Sequence, residues 1–377
     1  MSAMAPSIYN PNRRQTIDFE PLKQAVHRLL GLEVLEITYL GYGYFNAVHE
    51  LKMSSGPSLV ARITYNFKTD AKSRTWATEQ TTRERYVLEL VRPFVPVPRI
   101  LAQDLDPNNA IGAPFTIMER IYGEDQWRAL PAMSLPEKIK YVSSLAEMMV
   151  RIFQIEMPSI GMLERLNDDG RPVVGPFILD MKSVRMLPPC STIDEYIAAR
   201  LDLDTGQGVS YTPSLFDFSV PDLFSRLRVL AARLIPRDDP SLLQPVLVHL
   251  DLDFANVMVK DAAVSAIIDW EIHAALPACL AVGYPPFIRY DGMYDPKYDI
   301  IDRDYPLIGS CATVDEAPIL KAAFRQTAER LSNDFIWALD RGEVLRQLLD
   351  FVDRNLDQRL AACYQWERET ALALDLA

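Results

Sequence analysis

Cysteine is scarce and scattered in this chain. Cys190, Cys279, Cys311 and Cys363 are the four in 377 residues, and none forms a CxxC pair. That speaks against both a zinc site and a disulfide framework. Basic charge is short as well: 39 Lys and Arg face 51 Asp and Glu, a formal net charge of −12. A general nucleic-acid binder is excluded by that balance, and most of the acidic surplus reads as solvated surface. No stretch approaches the roughly 18 apolar residues of a membrane span; the richest, AALPACLAVGY, is short and contains Pro277. The opening MSAMAPSIYNPNRRQ has no apolar core of the kind a signal peptide needs. Internal repeats are absent, and so is low complexity beyond the first fifteen or so residues. The expectation is a soluble, cytoplasmic protein with reduced thiols and with neither membrane nor nucleic acid as partner; protein partners are not legible.

What is present is ordinary globular material, 49% hydrophobic and 24% charged, and enough of it for a large core and more than one domain. FEPLKQAVHRLLG reads as a leading helix closed by Gly31. EVLEITYL, NAVHELKM and SLVARITY follow as an antiparallel meander. TTRERYVLELVR has helical periodicity, and VPVPRILAQDL with APFTIME completes five strands around one helix. After Glu119 the character changes. SLPEKIKYVSSLAEMMVRIFQIE is a helix opened by a Ser134/Glu137 capping box, and SIGMLERLNDDGRPVVGPFIL reads as a hairpin with a DDG turn. Further helices are expected at PDLFSRLRVLAARLI, at EAPILKAAFRQTAERLSNDFIWALD with a Thr313/Glu316 capping box, and at GEVLRQLLDFVDRNLDQRLAACYQWE. The organisation is α+β: a small β lobe over residues 1–119, a mostly helical lobe over 120–377, and a hinge near 117–123.

The chemistry concentrates in HLDLDFANVMV, where His249, Asp251, Asp253 and Asn256 interrupt two apolar strand-like runs. An Asx-rich hairpin turn would account for these residues; so would a site displayed on a loop held by buried strands. Thirteen residues on, SAIIDWEIH carries Asp269 where an apolar strand leaves the core. The intervening NVMV–KDAA–VSAIID is one short hairpin, which brings Asn256 and Asp269 side by side. A carboxylate and an amide oxygen suit Mg²⁺, which takes few protein ligands, prefers hard oxygens and fills its shell with phosphate and water. Asp251 is then free to take the proton of an attacking hydroxyl.

HxDxxxxN, a short hairpin and IIDWE together resemble the aminoglycoside phosphotransferase and choline kinase family, within the protein-kinase-like fold. PVPRIL, IGAPFTIMERIYGE, SIGMLE and DWE…P…YPPF occur in the order of the small-molecule phosphotransferase branch widespread in fungi. The resemblance implies a bilobal fold, ATP and Mg²⁺ as cofactors, and phosphoryl transfer to a hydroxyl of a small-molecule acceptor. By the same resemblance Asp251 is the catalytic base and Asn256 and Asp269 are the metal ligands. His249 supports the loop, and Trp270 packs it. Gly41, Gly43, Phe45 and Asn46 match the flap over the phosphates. Arg62 stands where kinases carry a lysine, with Glu84 as its helix partner, and the backbone from Met118 to Ile121 receives adenine. Arginine keeps the charge but changes the geometry. Leu250 replaces a common glycine and Asp253 a histidine or small polar residue. The segment 281–299, with its tyrosines and Asp291, Asp295 and Asp299, is either an acceptor wall for an aromatic or cationic compound or a surface loop. A nucleotide-binding pseudokinase and a kinase-fold enzyme turned to another reaction in secondary metabolism are the other readings.

Overall fold

The computed structural model describes residues 19–43, 46–64, 71–106, 108–180, 185–206, 218–252, 255–298, 311–353 and 359–375. Phe45, Asp253 and Asp299, singled out above, lie outside them. The chain divides into two compact units, one of Met1–Leu90 with Val97–Tyr122 and one of Val91–Pro96 with Gly123–Ala377.

The first unit holds α1 (Phe19–Leu30), β1 (Val34–Tyr42), β2 (Asn46–Met53), β3 (Leu59–Thr64), α2 (Ala71–Val91), β4 (Ile100–Asp104) and β5 (Phe115–Glu119). Leu22, Ala25 and Val26 recur at helical spacing and are the buried face of α1. Gly31, at φ +68°, closes the helix and donates its N–H to His27 O, a left-handed cap for which glycine is best suited. The sheet is antiparallel throughout, in the order β1-β2-β3-β5-β4. Successive strand residues face opposite sides, so Leu59, Ala61, Ile63, Phe115 and Ile117 pack under α1. Arg62 and Thr116 are thereby turned to the other side, and Arg62 meets Glu84 of α2 there.

The second unit begins with β6 (Glu124–Asp125), α3 (Gln126–Ala129) and α4 (Leu135–Phe153), then β7 (Met162–Leu166), β8 (Pro172–Gly175), β9 (Phe177–Asp180), β10 (Arg185–Leu187), α5 (Ile193–Gly206) and α6 (Val220–Leu234). It continues through β11 (Pro245–His249), β12 (Val257–Lys260), β13 (Ala263–Ile267), β14 (His273–Pro277) and α7 (Ala278–Ala281). It ends with α8 (Ala317–Leu331), α9 (Asn333–Arg341), α10 (Glu343–Asp353) and α11 (Leu360–Ala373). Both expected capping boxes form: Glu137 accepts from Ser134 N, and Glu316 accepts from Thr313 N while donating its own N–H to Thr313 Oγ1. Glu316 also meets Lys138 at 2.9 Å, tying the start of α8 to α4.

Two expectations need correction. The continuous helix expected after Glu316 breaks at Ser332, which takes extended backbone angles and caps α9 by accepting from Phe335 N. Serine at an N-cap holds a free helix donor better than it serves inside a helix. The run HLDLDFANVMV is not a hairpin: β11 pairs with β14, whereas β12 pairs with β13 and β6. Helix α5 was not foreseen.

None of the four cysteines is in a disulfide and all are buried, and burial pushes the Cys279 and Cys363 thiols up to about 12. Among the described residues no helix is long and apolar enough to cross a membrane.

Gly342 joins α9 to α10, and a Cβ there would lie 1.9 Å from Cys279 O. Gly342→Ala is therefore expected to cost at least about 2 kcal/mol in a urea titration, since overpacking forces the backbone to move. At Gly283 a Cβ meets nothing within 4 Å, and Gly283→Ala is expected to stay within about 0.5 kcal/mol of wild type.

Candidate functional site

In the second unit the site starts from backbone pairing. β12 and β13 are joined by a two-residue turn at Asp261 (φ 53°) and Ala262 (φ 55°), the left-handed pair that matches strand twist in a tight hairpin. The hairpin carries Asn256 to the backbone of Ile268, whose N–H donates to Asn256 O at 2.9 Å. Asp269 follows at once with φ +63°. Asn256 is buried, and its Nδ2 donates to both Asp251 O at 2.8 Å and Asp251 Oδ2 at 2.9 Å. With the amide nitrogen so engaged, Oδ1 is the atom left to offer a lone pair. The structure thus sets the carboxylate of Asp251 and the amide of Asn256 in direct contact, with Asp269 on the adjoining backbone.

His249 fastens this arrangement. Its Nδ1 accepts from Asp251 N at 3.2 Å, and its Nε2 lies 3.0 Å from Ile268 O. A backbone N–H can only donate and a carbonyl can only accept, so the ring is neutral with its proton on Nε2. Burial lowers its pKa, outweighing the Ile268 bond and the charges of Asp251 and Asp269 that favour the cation. Trp270 is fully buried, donates to Ile267 O, and packs edge-on against the imidazole at 4.6 Å. Both side chains hold the loop. Leu250 explains itself: its φ is not left-handed and its side chain is exposed, so the backbone does not require glycine here.

In the first unit Arg62 Nη1 contacts Glu84 Oε1 at 2.6 Å, with the two side chains 13% and 3% exposed. Gly43 N donates to Asn46 O at 2.8 Å across the β1–β2 turn, and Asn46 Oδ1 accepts from Thr64 Oγ1. Gly41 and Gly43 have no left-handed φ, and a Cβ at either meets nothing within 4 Å. What glycine supplies at these positions is open room above the backbone. Met118 is buried and paired with Val60. Of the 118–121 backbone, Glu119 N already donates to Arg99 O, and Ile121 O already accepts from Arg120.

Residues 281–298 are not a surface loop: Phe287, Ile288, Met293 and Tyr294 belong to the core. Asp291 bonds Lys321 at 2.7 Å and Arg289 at 3.3 Å. Burial would raise its carboxyl, but the two cations outweigh it and hold the pKa below the usual range. Sequence reading missed Arg346 and Asp350 of α10, which line a cavity together with Tyr284 and Tyr294 of this segment. The available signal was a cation and an acid set i, i+4 among Leu345, Leu348, Leu349 and Val352.

The model of the phosphotransferase enzyme family (APH) matches residues 43–272. A subtelomeric hrmA-associated cluster protein of Aspergillus fumigatus is 24% identical, over 77% of this chain and 67% of its own. Clavilactone A biosynthesis cluster protein Y of Ampulloclitocybe clavipes is 26% identical, over 67% of this chain and 64% of its own. The chain thus spans about two thirds of the length of these curated relatives. Among solved structures, a thermostable mutant of aminoglycoside phosphotransferase APH(4)-Ia, in ternary complex with AMP-PNP and hygromycin B, is similar at 16% identity. Its TM-score is 0.48, covering 87% of this chain and 98% of that one. The α+β organisation expected from sequence, an antiparallel sheet in the first unit and a mostly helical second, is the one observed.

Removing one partner of a buried ion pair strands the other charge. Arg62→Ala is expected to destabilise the protein by about 3 kcal/mol, and Arg62→Ala with Glu84→Gln by clearly less, in chemical denaturation of the set.

Proposed function

We propose that this chain, which belongs to the phosphotransferase enzyme family, transfers the γ-phosphoryl group of ATP to a hydroxyl of a small molecule. The observation that carries the reading is the contact of Asp251 with Asn256, clamped through His249 to the backbone beside Asp269. Asp251 orients the acceptor hydroxyl and receives its proton. A bond forms between the acceptor oxygen and the γ-phosphorus as the bond to the β–γ bridging oxygen breaks, and ADP leaves with that electron pair. Bound Mg²⁺ would neutralise charge on the phosphates. Asn256 Oδ1 and the Asp269 carboxylate are the hard oxygens fitted to hold it. Two such ligands suit an ion that completes its shell with phosphate and water; among the described residues no cluster of three or more His, Cys, Asp or Glu offers a closed metal cage.

Residues 1–119 are assigned nucleotide binding and residues 120–377 catalysis and acceptor binding. In the first, Arg62, aligned by Glu84, contacts phosphate, and Gly41, Gly43, Phe45 and Asn46 form the flap. Adenine is received by the backbone from Met118 to Ile121. Catalysis in this scheme is placement and charge neutralisation. The curated relatives bear the names of gene-cluster proteins, and we place the acceptor among secondary metabolites for that reason. A cytoplasmic setting agrees with four cysteines outside any disulfide.

Thermal-shift titration tests this directly. Wild type is expected to gain stability from ATP only with Mg²⁺, and Asp269→Ala to lose that gain while remaining folded. Asp251→Asn should keep the gain, and its turnover on an acceptor found by screening should fall at least about 100-fold. Full transfer by Asp251→Asn would remove the assignment.

A further inference from the structure

We propose that the acceptor is an apolar or aromatic hydroxy compound bearing one anionic group, held in a cavity of the second unit with that group toward Arg346. This names the substrate class of the reaction proposed above and rests on that reading.

The cavity measures about 420 Å³, within the range of small-molecule sites. Its wall includes His249, Leu250 and Leu252, the residues flanking Asp251. Most of the remaining lining is apolar, with Phe177, Tyr196 and Tyr284 supplying aromatic surface. The charged side chains that line it are Arg200, Arg289, Arg346 and Asp350. Three guanidinium groups against one carboxylate reverse the sign of a chain whose net charge is −12.

Arg346 is the unusual member. Its Nη1 donates to Cys279 O at 2.6 Å and to Ala338 O at 3.1 Å, and its Nη2 donates to Leu339 O. Carbonyls satisfy hydrogen bonds but do not neutralise a cation, and among the described residues no carboxylate forms an ion pair with it. Nearby, Arg289 bonds Asp350 at 2.7 Å and shares Asp291 with Lys321. Asp291 and Asp350 are thus engaged by Arg289 and Lys321, and Asp350 and Glu343 act on Arg346 only through space, without an ion pair. Burial first, and the neighbouring Arg289 second, lower Arg346 to about 10, so it stays charged at neutral pH. A partly buried guanidinium with no ion-paired carboxylate gains from acquiring one, and an anion entering the cavity supplies it. A polycation meets repulsion there and leaves the apolar wall uncovered.

Binding is measured calorimetrically on the full chain without nucleotide. The probes are 6-hydroxy-2-naphthoate and 3-(4-hydroxyphenyl)propionate, each beside its methyl ester, with kanamycin as the polycation. The acids are expected to bind about tenfold or more tighter than their esters, as a charge-assisted contact requires. Arg346→Gln should bring that ratio close to one while leaving ester binding in place. Gly283→Phe should weaken acid and ester alike, because Gly283 lines the cavity and a Cβ there meets no atom within 4 Å. Should Arg346→Gln fail to fold, the acid–ester ratio of wild type and Gly283→Phe still decide. Esters binding as well as acids, kanamycin binding tighter than both, no binding by either acid at millimolar concentration, or indifference to Gly283→Phe each overturn the proposal. Transfer from Mg²⁺-ATP is assayed separately: acids that bind with the expected ratio but accept no phosphoryl group leave the cavity assignment standing and remove the phosphotransferase reading.

Discussion

One neutral imidazole ties the backbone at Asp251 to the backbone at Ile268, two stretches that strand pairing does not join. β11 and β12 lie in different sheets, so no strand pairing fixes the residues between them. His249 supplies the missing link by accepting from Asp251 N on one ring nitrogen and donating to Ile268 O from the other. Accepting on Nδ1 requires the uncharged ring, and burial beneath Trp270 keeps it so. The Asn256–Asp251 contact and the position of Asp269 follow from that link and from the hairpin that carries Ile268 to Asn256. Here the hydrophobic core sets a protonation state, and the protonation state sets the geometry of three polar side chains.

Much of this was legible in sequence because it is local. The five strands of the first unit show alternation, the capping boxes are short motifs, and NVMV–KDAA–VSAIID spells a hairpin within a few residues. The inward turn of Glu84 toward Arg62 follows from period 3.6 against period 2. What sequence reading missed depends on distant partners. Nothing in EAPILKAAFRQTAERLSNDFIWALD outweighs helical propensity at Ser332 until α9 must leave in its own direction. The pairing of β11 with β14 is set by residues 24 to 32 positions apart in the chain, whereas HLDLDFANVMV viewed alone allows a turn. Arg346 was hidden for a similar reason: its three carbonyl partners belong to α7 and α9, and only packing brings them to one guanidinium.

Two of the three departures from the resembling family, Leu250 and Arg62, lie among the described residues and behave differently. Leu250 sits on ordinary backbone and points outward, so the geometry of the loop absorbs it. Arg62 is bound into a short pair with Glu84 in a nearly closed environment, where a planar head with several donors can serve the carboxylate and still present further N–H groups. Charge is distributed with similar economy in the second unit. Asp291, which the sequence leaves as either a pocket acid or a surface residue, is consumed by Arg289 and Lys321. The balance around the cavity therefore has the opposite sign from that suggested by the chain's overall acidity.

Asp269 stands at φ +63°, a conformation that costs a side chain with a Cβ about 1 kcal/mol or more and costs glycine almost nothing. Selection for stability alone would favour glycine at this position, and the first thing such a replacement erased would be the carboxylate. An aspartate there sets folding and oxygen supply against each other within one residue. The bonds around His249 and the β12–β13 hairpin are what keep that opposition from being resolved in favour of the backbone.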